Sequence, residues 1–527
     1  MVLQRFKPFI YYISLILVLG YYIVRAITAP YSDFAGYYFG SEALLHGDYT
    51  NVYDNYSFNV LIAQRGYKEI FASYMPFPPF TALVIAPLLL LKLMWAKVAF
   101  NVISCLLLLF TLHRTVKFFA FSNWLVVVLP VLFFIPLRNG IFFGQAYLLL
   151  LVLLLEGYMA YKKEQLGLSS FLWAVAILFK LFPGVILIFL LVKRQYKHAI
   201  YLCAASLVLM FLSLWLNGFA VWKFYLTIIL PWLNNGELNG TFTHMFQSFF
   251  MLLRNIFVYD ELVNPSPFFN SPTVFAVLLA LFKAFILGVC IRVTWKKNTS
   301  DLLSFALWIT ASSLISPNGS SYSLVLLIIP FLAILHESAQ MNERQKTIFI
   351  VSAAVLLLLI CSIPVQSLAS WPVVLKFPRL YLLLIFWFLL MKQSSGAFDY
   401  RVTLLLFIAL MVPEIIKLNS AGQSESNYLL LKDEHILLYD YGVKDHKLVY
   451  YYWDNSGSNE VTADYSLDSI SAKDVSLQQN QIWYKGKQLT HTADWKKKPM
   501  LVNGTIIIFL GDKNRGVSFY TLRKIEL

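Results

Sequence analysis

Apolar runs long enough to cross a lipid bilayer recur from residue 8 to residue 417 of this 527-residue chain, and then stop. Inside a hydrocarbon layer no water satisfies backbone N–H and C=O groups, so runs of about 20 apolar residues cross as helices, whose hydrogen bonds are internal. Composition agrees: 59% of residues are hydrophobic and 13% charged, where soluble proteins carry roughly 25% charged residues. The chain therefore reads as an all-α polytopic membrane protein of about 11–13 transmembrane helices over residues 1–417. Residues 418–527 read as a small all-β domain, because segments such as "KLVYYYW", "QIWYKGKQL", "TIIIFLG" and "VSFYTLRKIEL" are separated by Gly, Asn and Asp turns.

The formal charge of +14 lies in the membrane part, since residues 418–527 balance 13 basic against 13 acidic residues. These positive charges fall in short segments between apolar runs, as expected for loops left on the cytoplasmic side, and no nucleic-acid partner is needed to explain them. Arg5 and Lys7 place the N-terminus in the cytoplasm; alternatively, the first run is a signal peptide ending near "AITA". Residues 79–117 read as a short surface or half-depth helix followed by one crossing. The triplet "RNG" at 138–140 falls outside, residues 167–192 form an outward hairpin turning near Lys180 and Pro183, and a second hairpin turns at "SPNGSS", 316–321. Further apolar segments follow at 347–365, 379–392 and 401–417. An odd number of crossings then puts the C-terminal domain outside the cytoplasm, on the same side as the polar segments 29–77, 217–272 and 366–378. The four cysteines lie inside apolar runs and form no readable disulfide or metal pattern. No internal repeat is evident, and there is no Walker loop, HExxH or GxSxG motif.

The acidic stretch after the first run, "DFAGYYFGSEALLHGDYTNVYD" at 33–54, is the most unexpected polar segment. Asp33 follows the expected membrane boundary closely, and Tyr37 at i+4 shares its face if a helix starts there. A carboxylate at that depth gains basicity by desolvation and can take a proton from a sugar hydroxyl. Alternatively, Ser32 or Asp33 caps the helix. Asp33, Glu42, Asp48 and Asp54 together offer oxygen ligands, although nothing in the sequence requires a metal or other cofactor.

Isolated cations at outer helix ends run against the charge bias: Arg138, Lys180, Arg254 and Arg379. Each can snorkel to headgroups, or the set can bind the phosphate of a lipid-linked substrate. Lys180, between "AILF" and "LFPG", has the least reason to be there without an anion. His244, Gln247 and Ser248 form a polar cluster at the start of an apolar helix, suited to sugar hydroxyls or to helix capping.

Six segments, in this order, resemble the family 87 glycosyltransferases of the GT-C superfamily, a group of polyprenyl-phosphomannose-dependent mannosyltransferases. They are "DFAGYYFGSEALLHGDYTNVYD" at 33–54, "YMPFPPFTALVIAPLLLL" at 74–91, "FFGQAYLLLLVLLL" at 142–155, "AVAILFKLFPGVILIFLLVKR" at 174–194, "FQSFFMLLRN" at 246–255 and "LISPNGSSYSLVLLIIP" at 314–330. The resemblance implies a cavity at the outer membrane face. It also implies transfer of a hexose, mannose in that family, from a polyprenyl-phosphate donor to an acceptor hydroxyl with inversion at the anomeric carbon.

By the same likeness Asp33 is the general base. Lys180 and Arg254, with Arg138 and Arg379, are candidates for the donor phosphate and lipid; Tyr37, Gln145, His244, Gln247, Ser248 and Tyr322 are candidates for the sugar and acceptor. One departure stands out. Where the family commonly has an aromatic residue and His after a Ser-Pro pair, this chain reads Ser316, Pro317, Asn318, Gly319, Ser320, Ser321, Tyr322, which leaves the donor sugar open.

The expected activity is thus a membrane glycosyltransferase acting on a lipid-linked or envelope glycan acceptor, in a bacterial inner membrane. Its expected partners are the bilayer, the polyprenyl-phosphate sugar and a glycan or glycolipid. A transporter or flippase of a lipid-linked sugar would need charges along a midplane path, for which Lys180 and Glu156 are the candidates. A non-enzymatic envelope scaffold is the other alternative.

Overall fold

The computed structural model describes residues 2–237, 240–260, 263–296, 298–392, 399–421, 427–428, 438–454, 457–466, 470–471, 474–478, 480–492, 494–512 and 520–527. Among these, helices run to Ala421 and strands follow from Asn427. The opening three residues of the last expected strand segment, 517–519, lie outside the described residues.

Among the described residues, six helices have the length and composition of a full crossing: Ile10–Ile27, Leu93–Phe118, Tyr196–Asn217, Pro272–Trp295, Ser321–Ser338 and Glu343–Ser362. A seventh arises if Leu125–Leu132 and Phe134–Phe142, bent by 74°, form one broken span. The expected eleven to thirteen crossings are therefore not all long helices. A 14-residue helix rises only about 21 Å and an 8-residue one about 12 Å, short of a roughly 30 Å layer. Leu166–Phe179 and Val185–Val192 are of those lengths. Between them Lys180 is extended, with φ −149° and ψ 118°, and Pro183 opens the next turn. Hydropathy summed along the sequence passes over such a break.

The short helix Thr81–Ile85 with its 3₁₀ extension Ala86–Leu90 precedes the crossing Leu93–Phe118. The triplet at 138–140, expected on the outer side, lies within the helix Phe134–Phe142. The chain breaks earlier, at Phe133, with φ −110° and ψ 27°.

At the centre stands Asp301–Ile315, buried on every side from Leu302 to Ser312. Its first residue gathers two distant cations: Lys162 Nζ lies 2.8 Å and Lys193 Nζ 3.1 Å from the Asp301 carboxylate. The basic ends of Tyr147–Lys162 and of Val185–Val192 thus converge at one end of the bundle.

The β region has a five-stranded antiparallel sheet in the order Asn427–Tyr428, Thr521–Glu526, Ile506–Gly511, Lys496–Val502 and Ile470–Ser471. Two three-stranded sheets accompany it, Leu438–Lys444 with Lys447–Asp454 and Gly457–Ser466, and Val475–Gln478 with Gln481–Tyr484 and Lys487–Gln488. The hairpin joining Lys496–Val502 to Ile506–Gly511 turns through Asn503 and Gly504, both at positive φ (52° and 72°), the conformation that Asn-Gly adopts most readily. The buried Tyr441 hydroxyl donates to the Ile508 carbonyl at 2.8 Å and so ties two sheets together.

The β region packs against the helical part at specific points. Lys497 Nζ lies 2.7 Å from Asp54 Oδ2, with the two side chains 20% and 13% exposed. Asp54 also caps Asn55–Gln64, accepting from Ser57 N at 3.0 Å. Trp495 meets Trp232 edge-on, with ring centroids 3.8 Å apart.

Removing Lys497 leaves the shielded Asp54 carboxylate without its cation, so Lys497→Ala is expected to cost about 1–3 kcal/mol. Trypsin cleavage between residues 485 and 498 should accelerate several-fold in this variant; equal cleavage rates would show that the ion pair holds nothing.

Candidate active site

Asp33 is the second residue of Ser32–Leu45, whose N-cap position, Tyr31, makes no capping side-chain hydrogen bond. The Asp33 carboxylate is used differently. Its Oδ2 accepts a 2.7 Å hydrogen bond from Gln145 Nε2, and Gln145 Oε1 in turn accepts from the Tyr37 hydroxyl at 3.2 Å. Tyr37 lies one turn beyond Asp33 and is fully buried, stacked on Phe77 at 4.1 Å and near-parallel to Phe179 at 6.0 Å. Its ring cannot swing, so its hydroxyl fixes which end of the Gln145 amide faces Asp33.

Gln145 is placed by a tight turn after Phe134–Phe142, in which its N–H donates to the Gly140 carbonyl at 2.7 Å. The turn needs Gly144: φ is +64°, and a Cβ there would stand 2.8 Å from Phe34 Cβ. The neighbour of Asp33 in sequence thus packs against the neighbour of Gln145.

The Asp33 carboxyl is raised above its ordinary range, first by burial; the Gln145 hydrogen bond and then the charges of Lys180 and Lys97 act in the opposite direction. Lys180 is held by ring faces, with its Nζ 4.4 Å from the Tyr147 centroid and 5.2 Å from that of Phe77. Tyr322 packs against Tyr147 at 5.3 Å. Asp33, Tyr37, Gln145, Lys180, Tyr147 and Tyr322 therefore form one cluster. A carboxylate lifted in basicity beside an ammonium that is cradled by aromatic rings can take a proton and hold an anion in the same space.

Two members of this neighbourhood escaped the sequence analysis. Lys97 Nζ donates to the carbonyls of Ala26, Ala29 and Pro30 at 3.0, 3.3 and 3.1 Å, neutralising the frayed end of the first helix and fixing the entry to Asp33. A lysine in "MWAKVAF" reads as a snorkelling surface residue unless the facing carbonyls are known. Tyr147 was hidden among the chain's 31 tyrosines.

The remaining candidates lie in other groupings. Arg138 donates to Asn139 Oδ1 at 3.1 Å, and Asn139 Nδ2 donates to Ser321 Oγ at 2.8 Å, next to Tyr322. Arg254 lies over the Phe242 ring at 4.8 Å in the field of Glu237, Asp260 and Asp512. Burial, and then the charge of Asp512, pushes the Glu237 carboxyl well above the usual range. Arg254 is thus surrounded by acids of the helical and β regions rather than grouped with Asp33. Ser248 caps Phe249–Phe257 and donates to the Pro317 carbonyl at 2.7 Å. Gln247 donates to the carbonyls of His244 and Lys376, each at 2.7 Å, and accepts from Arg379 N at 3.2 Å. The acids of the opening stretch are also dispersed: Glu42 pairs with Arg65, Asp48 accepts from Asn51 at 2.8 Å, and Asp54 binds Lys497.

Residues 74–317 match the profile described as Glycosyltransferase family 87, and no curated protein matches the chain. The matched stretch supplies Gln145, Tyr147 and Lys180, while Asp33 and Tyr37 precede it and Tyr322 follows it. Residues 74–317 thus carry a glycosyltransferase family 87 domain, and the protein is a membrane glycosyltransferase.

Proposed function

We propose that the enzyme transfers a hexose, mannose by family likeness, from a polyprenyl-phosphate donor to a hydroxyl of a lipid-linked or envelope glycan, with inversion, at the outer face of a bacterial inner membrane. The observation that carries this reading is the Asp33–Gln145 hydrogen bond beside Lys180. The acceptor oxygen attacks the anomeric carbon and its proton passes to Asp33. The bond from that carbon to the phosphate oxygen breaks, and the electron pair leaves with the phosphate, whose charge Lys180 offsets. Gln145 keeps the carboxylate aimed, and Tyr147 and Tyr322 wall the space around Lys180.

The position of the cluster supports an outer-face reaction. Gln145 immediately precedes Tyr147–Lys162, and Lys162 at the far end joins Lys193 on Asp301. Sixteen helical residues span about 24 Å, so the cluster and the basic end are separated by most of a hydrocarbon layer. If that basic end faces the cytoplasm, as positive-inside bias favours, Asp33 faces away from it. The β region, linked to Asp54, then lies on the outer side and is placed to meet an acceptor.

The direct test uses purified protein, radiolabelled polyprenyl-phosphate hexoses and an envelope lipid extract. Asp33→Asn should lower transfer about 10²–10⁴-fold without changing the melting temperature. Undiminished transfer in that variant would remove Asp33 from the chemistry.

Gln145→Leu tests the aiming of the base. Asp33 acts when ionised, so transfer falls as pH drops through its pKa; losing a hydrogen bond to the charged form raises that pKa. The acidic limb of the rate profile should therefore move up by about one pH unit. An unmoved limb with lower rate would assign Gln145 to substrate contact alone.

A further inference from the structure

Arg379 is a buried arginine whose one charge-bearing neighbour among the described residues is the Cys361 thiol rather than an acid. It is 6% exposed. One guanidinium nitrogen, Nη2, donates to the Ile363 carbonyl, while Nε has no partner. Arginine stays charged at any physiological pH, and a buried charge without a counterion is costly. A neutral carbonyl offsets only part of that cost.

Beside it lies a cavity of about 30 Å³ lined by Gln247, Ser313, Asn318, Gly319, Ser323 and Arg379. Asn318 Oδ1 is buried there without a hydrogen bond, so its amide is free to turn its N–H₂ inward. Such a volume holds one or two waters or the terminal oxygens of an oxyanion, and excludes a sugar ring. Lys376 adds a second cation. Its carbonyl accepts from Gln247, its charge reaches His244, and among the described residues it makes no ion pair with an acid. The same segment presents Trp371, Val374 and Leu375 to the surroundings, each at least half exposed, as expected of a segment seated among lipid headgroups.

We propose that Arg379 and Lys376 form a second anion site, separate from Lys180, that takes the terminal oxygens of a phosphate ester presented at the membrane surface. Asp33 feels Lys180 and Lys97, and Arg379 belongs to neither set of neighbours. Two lipid-borne phosphates can then be held at once, one on the donor and one on a second lipid. Free inorganic phosphate shares the chemistry, and the assay below separates the two sources.

Full-length protein in detergent is dialysed to equilibrium against farnesyl [³²P]phosphate, with farnesol and inorganic phosphate as competitors. Wild type should bind two molecules per chain, Arg379→Gln and Lys180→Met one each, and farnesol should displace neither. Lys376→Gln, a change near the surface that leaves the core intact, should weaken the Arg379 component about 3–10-fold. If millimolar inorganic phosphate empties that component, free phosphate is the ligand; if it does not, the lipid ester is. Wild-type binding in Lys376→Gln, or one molecule per chain in wild type with Arg379→Gln unaffected, overturns the site even should Arg379→Gln fold poorly. The assay reads binding without turnover, so its failure leaves the transfer reaction standing, and loss of the transfer reading leaves this site standing.

Discussion

The hydrogen bond from Gln145 to Asp33 is the contact on which the rest of the site depends. Three separated segments meet in it: the helix after the first crossing, the tight turn at Gly144, and, through the stacked Tyr37, the aromatic wall of Phe77 and Phe179. A carboxylate half out of water would otherwise rotate freely or protonate. Held at 2.7 Å by an amide whose own orientation is fixed, it keeps one oxygen committed and leaves the other for chemistry. Burial raises its basicity, and the Gln145 hydrogen bond and then the two lysines limit that rise.

The scaffold around this bond follows from the cost of exposing backbone in lipid. Lys97 spends its charge on three carbonyls where the first helix ends. Lys180 occupies the break between two helices too short to cross, where aromatic faces offset its charge. These two irregular points, each stabilised by a cation, allow polar chemistry to sit beside the membrane. The β region closes over the neighbouring segment through Asp54–Lys497 and Trp232–Trp495, so it is fastened to the catalytic bundle rather than trailing from it.

Much of this was legible in the sequence, and the exceptions have physical causes. Long apolar runs and a turn-rich tail announced a helical membrane bundle followed by β structure. Asp33 and Lys180 stood out because charge in those places is costly unless used. The number of full crossings was not legible, because mean hydropathy carries across breaks such as the one at Lys180. The partners of Arg254 could not be read either, since Glu237 and Asp512 approach it only after the tail folds back on the bundle. Gln247 and Ser248 looked like sugar ligands from their polarity, yet their hydrogen bonds are taken by Lys376, His244 and Pro317 backbone. A short polar side chain after an apolar run is an equally good tether, and only the facing backbone decides.

The central claim is that one desolvated carboxylate drives a single displacement. Among the described residues, the charged groups that act on Asp33 are Lys180 and Lys97, and the other ionisable groups coupled to it are tyrosines, so no second carboxylate stands there to serve as a nucleophile for a two-step route. The most direct measurement is the anomeric configuration of the transferred sugar, read by NMR from product made with a donor of known configuration. Inversion in a single turnover is the predicted result, and retention would contradict the account.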